Sequence, residues 1–391
     1  MITRLQVRNF KSLRDVDLSL GPVNVLVGPN MSGKSNIVDS LRFLQQFFFP
    51  QPATDGLTYA LAQRAGIGEV LWKGANESLI TFTMGVQDDL IPDRRFVYVL
   101  EIIAGVGGFA TIQRESLKLI IDKSELDLIV EEDGVRTLVN SDRTRRVRTV
   151  STANSALQYA SPEFEAYALK ALIGMWRFYQ LVPAIMKQAN PTSAGEILDT
   201  HGSNLSAWLM GLQTRFPDAF DKINEVVCDV FPDLQRLLTW PTQQGTVHLA
   251  AVEHGLKRPV SIWQMSDGQL AFIALLSLIY APPDLGGSVY CLEEPENHLH
   301  PNLLSAMVAL LRQVRLEVVE ARLPLSQLFI TTQSPFLVDQ ATLDEVIWVT
   351  KKLGETQAFP PANKNHLRKL IEDKELGLGD LMYSGTLGDD K

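Results

Sequence analysis

The chain opens with alternating apolar and polar positions, which predict two short β-strands. Apolar residues recur between Ile2 and Phe10 and again between residues 16 and 20, in the pattern of strands with one buried face. Residues Val23–Val27 are almost entirely apolar and predict a buried strand. A helical pattern then runs from Lys34 to Phe48, and Pro50 ends it.

The rest of the chain changes character twice. Residues 69–133 are rich in β-branched residues and broken by Gly and Asp, which predicts an antiparallel β lobe. Helical patterns follow at 153–174 and 205–231, with short strands at 177–181, 247–252 and 259–265. The last third alternates helices with strands, which is typical of a parallel, helix-covered sheet. Its predicted elements are helices 269–281 and 301–322 and strands 289–292 and 327–331.

Composition limits the class of protein. The 391 residues include 36 Lys and Arg against 45 Asp and Glu, a formal net charge of −9, which argues against a basic protein that coats DNA. Two cysteines, Cys228 and Cys291, cannot build a disulfide framework, so we expect a cytoplasmic protein. The longest apolar stretch, residues 270–283, is shorter than the roughly 20 residues of a transmembrane helix, and we expect no membrane partner.

A phosphate-binding loop follows the first buried strand. Residues 28–35 fit the pattern G-x-x-x-x-G-K-[ST] between a strand and a helix. The backbone N–H groups of such a loop and the helix N-terminus bind phosphate, the lysine contacts the β- and γ-phosphates, and the last hydroxyl binds Mg²⁺. A glycine-rich turn that binds nothing is the alternative. The predicted ATP and Mg²⁺ site consists of Gly28, Pro29, Asn30, Met31, Ser32, Gly33, Lys34, Ser35 and Asn36.

A pair of glutamates ends the predicted strand 289–292. Ligands of open α/β sheets bind beyond the carboxyl ends of the strands, so the pair faces the phosphate loop if the two strands are neighbours. Consecutive strand residues point in opposite directions. We therefore expect Glu293 to coordinate Mg²⁺ and Glu294 to orient or deprotonate the attacking water. A solvated acidic turn is the alternative.

Residues 266–269, Ser-Asp-Gly-Gln, begin an apolar helix and form a second candidate anion site. Ser266 or Asp267 can cap this helix. Gly268 permits close approach of a ligand, and the helix N-terminus favours negative charge. Any capped helix has these features, so the position of this motif ahead of Glu293 is what gives it weight.

Together these motifs resemble the ABC-type ATPase heads of the structural-maintenance-of-chromosomes (SMC), RecF and OLD (overcoming lysogenization defect) group. Residues 297–300 after the acidic pair and 331–335 after a strand belong to the same pattern. The opening residues 5–12 and the closing residues 377–381 and 384–385 are similar to stand-alone AAA-type ATP-binding proteins of that group.

The resemblance implies an α/β fold, an ABC-type P-loop NTPase head with a mixed sheet, an antiparallel β lobe and a helical subdomain. We expect residues 1–391 to form a single head. Its expected parts are a nucleotide-binding core at 1–68 and 245–391, the β lobe at 69–152 and the helical subdomain at 153–244.

The resemblance also implies a homodimer in which two heads sandwich ATP. Ser266, Gly268 and Gln269 of one subunit would close on the γ-phosphate held by Lys34 of the other. Residues 297–300 would couple the two sites across the dimer. We therefore expect an ATPase with ATP and Mg²⁺ as cofactors.

Further positions carry over from the same resemblance. Lys11 and Ser12 would lie near the nucleotide, and Gln180 is a candidate for the glutamine that senses it. Gln333 stands where family members often carry His; a Gln can hydrogen-bond a phosphate but cannot take a proton, so we expect slow turnover. The expected catalytic residues are Lys34, Glu294 and Gln333.

Two other clusters have side chains that could bind a ligand. Glu294, Glu296, His298 and His300 have a two-residue spacing, but dimer contacts are favoured over a metal site because no cysteine accompanies them. A basic patch is the candidate contact with DNA or RNA, by phosphate contact only since no aromatic residue is interleaved. A solvated hairpin tip explains that patch equally well. It contains Arg143, Arg145, Arg146 and Arg148.

These features predict an ATP-hydrolysing dimer that works with a separate partner. No heptad pattern separates Ser35 from Ser266, so we expect no long coiled coil. The 58 residues after Gln333 (391 minus 333) are too few for the TOPRIM nuclease domain of OLD proteins. We expect action on or near nucleic acid with a separately encoded effector, such as a nuclease, in genome maintenance or phage defence.

A second hypothesis is a slow nucleotide switch, a scaffold that holds a toxic protein partner inactive while ATP is bound. A transporter subunit is disfavoured because the interval between Ser35 and Ser266 is long and nothing suggests a membrane partner.

Overall fold

The structure, a computed structural model, describes residues 1–88, 91, 93–122, 124–132, 134–193, 196–282, 285–320, 326–361, 363–374 and 376–384. The strands in these ranges are β1 (Ile2–Phe10), β2 (Leu13–Ser19), β3 (Val23–Val27), β4 (Leu79–Gln87), β5 (Arg94–Ala104), β6 (Ala110–Ile121), β7 (Ser124–Glu132), β8 (Val135–Val139), β9 (Arg146–Thr149), β10 (Trp176–Tyr179), β11 (Asn190–Pro191), β12 (Leu234–Pro241), β13 (Thr246–Glu253), β14 (Val260–Ser261), β15 (Val289–Glu293), β16 (Gln327–Thr332), β17 (Val346–Lys352) and β18 (Glu355–Phe359). The α-helices are α1 (Lys34–Phe48), α2 (Gly56–Ala62), α3 (Ile67–Val70), α4 (Ala166–Gly174), α5 (Pro183–Met186), α6 (Leu205–Arg215), α7 (Pro217–Val230), α8 (Asp267–Ile279), α9 (Pro301–Glu320), α10 (Pro335–Val338), α11 (Lys364–Lys374) and α12 (Leu378–Tyr383).

An antiparallel sheet in the order β2-β1-β4-β5-β6-β7-β8-β9 forms the β lobe. Its strands alternate buried and exposed positions, as β1 does with Ile2, Leu5, Val7 and Phe10 inside, which suits a sheet with one solvated face. The sequence pattern groups β1 and β2 with the nucleotide-binding core. In the structure they belong to the sheet of the β lobe, because β1 hydrogen-bonds to both β2 and β4.

Helix α1 joins the lobe to the rest of the molecule through an aromatic cluster. The ring of Phe43 on α1 stacks on Phe82 of β4 at 5.3 Å, and Phe10 of β1 meets both rings edge-on at 5.5 and 5.4 Å. Such aromatic pairs contribute roughly 0.5–1.5 kcal/mol beyond their buried area. The helix that follows the predicted phosphate loop is therefore fixed to the underside of the lobe.

A second sheet, in the order β10-β15-β16-β3-β17-β18, contains the predicted buried strands. Strands β10, β15, β16, β3 and β17 are parallel, and β18 returns antiparallel to β17. The expected α/β class with a mixed sheet is confirmed. Strand β3 is not a direct neighbour of β15, because β16 lies between them.

The middle of the chain departs from the predicted elements. The predicted helix 205–231 is two helices that meet at Phe216, because Pro217 has no N–H to continue the first one. The predicted helix 153–174 begins only at Ala166, after a 3₁₀ turn at Ala156–Tyr159. The predicted strand 259–265 shrinks to Val260–Ser261 and passes into another 3₁₀ turn.

Other elements had no counterpart in the predictions. Helices α2 and α3 fill residues 56–70, so the first strand of the lobe after α1 begins at Leu79 and not near residue 69. Strand β12, the hairpin β17–β18 and helices α11 and α12 were not predicted. The predicted end of helix 301–322 and Gly385 lie outside the described residues. Within the described ranges, no helix is both long and apolar enough to cross a bilayer.

Candidate nucleotide-binding site

The parallel sheet collects the predicted site residues at one edge. Gln180 follows β10, Glu293 ends β15, Gln333 follows β16 and the phosphate loop, residues 28–35, follows β3. The ladder pairs Tyr179 with Leu292, Glu293 with Thr331 and Thr332 with Val27. Because the carboxyl ends of parallel strands share an edge, residues more than 300 positions apart meet there.

The phosphate loop turns sharply into α1. Met31 and Gly33 have positive φ angles of 65° and 107°, and Gly33 occupies the N-cap position of the helix. Lys34, only 5% exposed, donates from Nζ to the carbonyl oxygens of Gly28 at 2.7 Å and Pro29 at 3.0 Å. The loop therefore wraps around the lysine ammonium.

The electrostatics of the loop favour an anion. Burial lowers the pKa of Lys34, and the charges of Glu294 and Glu296 offset this only in part. A phosphate next to the ammonium would favour its charged form. The buried hydroxyl of Ser32 has no hydrogen-bond partner among the described residues. A buried ammonium on neutral carbonyls and an unsatisfied hydroxyl both fit a nucleotide phosphate.

Glu293 pairs with a cation from α1. Its Oε1 lies 3.1 Å from Nη2 of Arg42, and the Arg42 guanidinium lies 5.0 Å from the ring centre of Phe178. The hydroxyl of the exposed Ser35 and the Glu293 carboxylate are oxygen donors of the kind that Mg²⁺ prefers. These two oxygen donors fit the expected Mg²⁺. The ion pair with Arg42 competes with Mg²⁺ for the Glu293 carboxylate.

Glu294 lies in a strained turn and not in the strand. Its φ is +45°, in the left-handed region, and its N–H donates to the Thr331 carbonyl at 3.0 Å. Asn297 donates from Nδ2 to its Oε2 at 3.0 Å. The strand alternation used to separate the two glutamates therefore ends at Glu293, and the turn orients Glu294.

Glu296, which the sequence analysis grouped with dimer contacts, also lies at this edge of the sheet. Its Oε1 accepts hydrogen bonds from the Thr332 hydroxyl and from the N–H of Gln333, the latter at 3.4 Å. Burial raises the pKa of its carboxyl, and the charge of Glu294 adds to the shift. Glu296 thus links the acidic turn to the segment that carries Gln333. Among the described residues, no group of three His, Cys, Asp or Glu is arranged to hold a metal ion.

Lys11 and Ser12 support α1. The Lys11 ammonium lies 2.7 Å from Oδ2 of Asp39, which also pairs with Arg64. Burial alone would raise the pKa of Asp39, but the hydrogen bonds and charges of Arg64 and Lys11 outweigh it, and the pKa lies below its ordinary value. The buried Ser12 accepts a hydrogen bond from Nδ2 of Asn36 at 2.6 Å. Their contact with nucleotide remains a prediction.

Ser266, and not Asp267, caps helix α8. The Ser266 hydroxyl accepts the N–H of Gln269 at 3.2 Å, and Oε1 of Gln269 accepts the N–H of Ser266 at 2.9 Å. This capping box fixes the Gln269 side chain on its own helix. Asp267 accepts a hydrogen bond from Lys187 at 2.6 Å, which holds the pKa of its carboxyl below the ordinary range.

The loop after the acidic pair packs against this cap within the same subunit. A Cβ added at Gly268 would lie 2.9 Å from the carbonyl oxygen of His298, so only glycine allows this approach. Nδ1 of His298 also lies 3.9 Å from the Asp267 carboxylate. The Ser266–Gln269 motif and the loop at residues 297–300 are therefore in direct contact within one chain.

The basic patch lies on the edge strand of the β lobe. Arg146 and Arg148 are exposed on β9, the last strand of that sheet, and Arg143 occupies the preceding turn with a φ of 58°. Arg145 is exposed as well and pairs with Glu163. The contact of this patch with nucleic acid stays a prediction, with the solvated tip as its alternative.

Comparisons with known proteins agree with this geometry. The family described as "AAA ATPase domain" matches residues 1–135, and the family described as "AAA domain, putative AbiEii toxin, Type IV TA system" matches residues 211–339. The OLD nuclease of Thermus scotoductus is 51% identical over 41 residues, which is 10% of this chain and 8% of that protein. The chain thus spans a small fraction of the length of that relative.

Solved structures of SMC heads share the fold. An SMC head bound to the C-terminal winged-helix domain of ScpA superposes with a TM-score of 0.59 at 16% identity, over 93% of this chain and 99% of the other. An SMC head with an extended coiled coil, bound to the C-terminal domain of ScpA derived from Pyrococcus furiosus, gives 0.53 at 14% identity, over 95% and 99%.

The fold is that of a P-loop NTPase head of the ABC type. The resemblance predicted from the sequence is confirmed: two segments of the chain match ATPase families, a short segment is similar to an OLD nuclease, and the fold is shared with SMC heads.

Proposed function

We propose that this protein binds Mg²⁺-ATP between two copies of itself and hydrolyses it slowly. The observation that carries the proposal is that the phosphate loop with its buried Lys34 ammonium, Glu293, Glu294 and Gln333 all lie at the same edge of the sheet. The charged form of a lysine that is buried against neutral carbonyls is strongly stabilised when an anion binds beside it.

Each residue has a defined task in this proposal. The loop N–H groups and Lys34 bind the phosphates, and Ser35 and Glu293 hold Mg²⁺, which supplies charge neutralisation at the β- and γ-phosphates when bound. Glu294 orients the attacking water. The exposed amide of Gln333, beside Glu296, hydrogen-bonds the γ-phosphate without taking a proton.

Gln180 gains support as the nucleotide-sensing glutamine. It comes directly after β10, whose last residue pairs with Leu292, one position before Glu293. Its exposed side chain therefore starts beside the Mg²⁺ ligand proposed here.

The dimer and its partners belong to the same proposal. Ser266 is exposed at the N-terminus of α8, as a residue that closes on the nucleotide of a second subunit must be. SMC heads in solved structures are bound to ScpA, and we propose that this head likewise works with a separately encoded effector. Action near nucleic acid, in the cytoplasm, in genome maintenance or phage defence completes the proposal.

The Glu294→Gln variant tests the core of this proposal. It keeps the hydrogen bond from Asn297 but removes the base, so phosphate release should fall about 100-fold or more. With Mg²⁺-ATP it should elute as a dimer in size-exclusion chromatography with light scattering. Glu77→Gln, at an exposed position before β4, is the control and should match the wild type. An unchanged elution volume for Glu294→Gln would reject the ATP-driven dimer.

A slow nucleotide switch is the second candidate, and Gln333 favours it because an amide cannot relay a proton. In this case the head holds a toxic protein partner inactive while ATP is bound. A turnover rate that DNA does not change, together with release of a co-purified partner on hydrolysis, would favour the switch. Stimulation by DNA would favour the first function.

A further inference from the structure

The two glycines of the phosphate loop both lie against the β17–β18 hairpin. A Cβ added at Gly28 would be 1.9 Å from the carbonyl oxygen of Val349 on β17. A Cβ added at Gly33 would be 1.9 Å from Oγ1 of Thr356 on β18. No side chain fits at either distance. The loop therefore packs directly against a hairpin that begins more than 300 residues later in the chain.

Thr356 makes the polar contacts between hairpin and loop. Its side chain is 2% exposed, and its Oγ1 donates to the Ser32 carbonyl at 2.9 Å. Since a hydroxyl carries one proton, the 2.6 Å contact with Ser12 must use the Ser12 hydroxyl as donor and Thr356 as acceptor. The Thr356 N–H also donates to the Ser12 carbonyl at 2.8 Å.

These bonds fix the peptide between Ser32 and Gly33. In a trans peptide the C=O and the following N–H point in opposite directions. Because Thr356 holds the Ser32 carbonyl toward the hairpin, the Gly33 N–H points away from the hairpin. N–H groups of a glycine-rich loop bind phosphate only when they converge on it.

We propose that Thr356 is a positioning residue that sets the orientation of the Gly33 N–H for phosphate binding. It touches the loop and not the nucleotide, and it acts through the Ser32–Gly33 peptide. This inference rests on the proposed ATP-binding function. A Val at this position keeps the shape but loses the donor, and the Ser32 carbonyl is then free to rotate.

Binding of the fluorescent analogue mant-ATP with Mg²⁺ tests the inference. Thr356→Val should raise the Kd about 10-fold, because the buried Ser32 carbonyl loses the Thr356 hydroxyl as its donor. Thr356→Ser keeps the hydroxyl and should stay within about 2-fold of the wild type. Thr350→Val makes the same change on β17, at a half-buried residue opposite Gln357, and should leave the Kd unchanged.

The outcomes separate this inference from a structural role and from the proposed function. A Thr356→Val protein with a lower Tm but a wild-type Kd would overturn the positioning role, as would an equal loss in Thr356→Ser. If Thr356→Val does not fold, Thr356→Ala provides the same comparison. If the wild type and Lys34→Ala both fail to bind mant-ATP, the proposed ATP-binding function itself fails, and the positioning role with it.

Discussion

A buried ion pair in the β lobe allows a quantitative prediction. The carboxylate of Glu115 on β6 has no solvent exposure and pairs with Arg136 of β8 at 2.9 Å. It also accepts hydrogen bonds from the Tyr98 hydroxyl at 2.9 Å, from the Ala156 N–H at 2.9 Å and from the Ser155 hydroxyl. Glu115→Gln keeps the shape but leaves Arg136 as a buried charge without its counterion. Loss of one partner of a buried pair costs about 3–5 kcal/mol.

Urea unfolding followed by circular dichroism at neutral pH measures this cost. Glu125→Gln is the matched control, because Glu125 forms an exposed pair with Lys118 on the neighbouring strands, and its midpoint should stay near the wild type. The double variant Glu115→Gln/Arg136→Met should lose less stability than the two single variants together, since the unpaired charge is gone. If Glu115→Gln loses less than about 1 kcal/mol, the pair does not bind its strands together as argued.

Three further outcomes are expected. Arg64 and Lys11 lower the pKa of Asp39 in the folded protein. Ionised Asp39 therefore stabilises the fold fully above the unfolded-state pKa of about 3.9, and this stabilisation is lost as the pH falls through the folded-state pKa. Asp39→Asn should therefore lower the Tm at pH 7, and its Tm should fall less steeply than that of the wild type as the pH is lowered. An equally steep fall of Tm in the variant and the wild type would contradict this. The native protein should expose one thiol to Ellman's reagent, Cys228, because burial shields Cys291 and raises the pKa of its thiol; two fast thiols would contradict the fold. Charge reversal at Arg146 and Arg148 should weaken DNA or RNA binding at low salt, and unchanged affinity would assign the patch to a solvated edge strand.

The motifs of the site were predictable because their chemistry is local. The apolar segment before Gly28 and the Gly-Lys-Ser sequence lie within 13 consecutive residues, from Val23 to Ser35. Their order predicts a strand, a phosphate-binding loop and a helix. The same kind of local pattern narrowed the cap of α8 to Ser266 or Asp267, and the structure selects Ser266. Predictions of this kind need no knowledge of which strands pair.

The partners of these motifs were not predictable, because they come from distant parts of the chain. No short pattern marks Thr356, whose contacts with Ser12 and Ser32 span more than 300 residues. The insertion of β16 between β3 and β15 is likewise determined by tertiary packing and not by local sequence. The break at Pro217 is different: the rule that proline cannot extend a helix was available in the sequence and outweighs the apolar periodicity around it.

The position of β3 in its sheet has a consequence for synthesis of the protein. Val23 pairs with Leu328, and both neighbours of β3 come from the last fifth of the chain. At about 5–20 residues per second, translation of the intervening 300 or so residues takes roughly 15–60 s. During that time an apolar strand that will later be buried has both edges unpaired, and unpaired edges promote aggregation. The nascent chain therefore needs either rapid folding of the N-terminal lobe over β3 or protection by a chaperone until the C-terminal strands emerge from the ribosome.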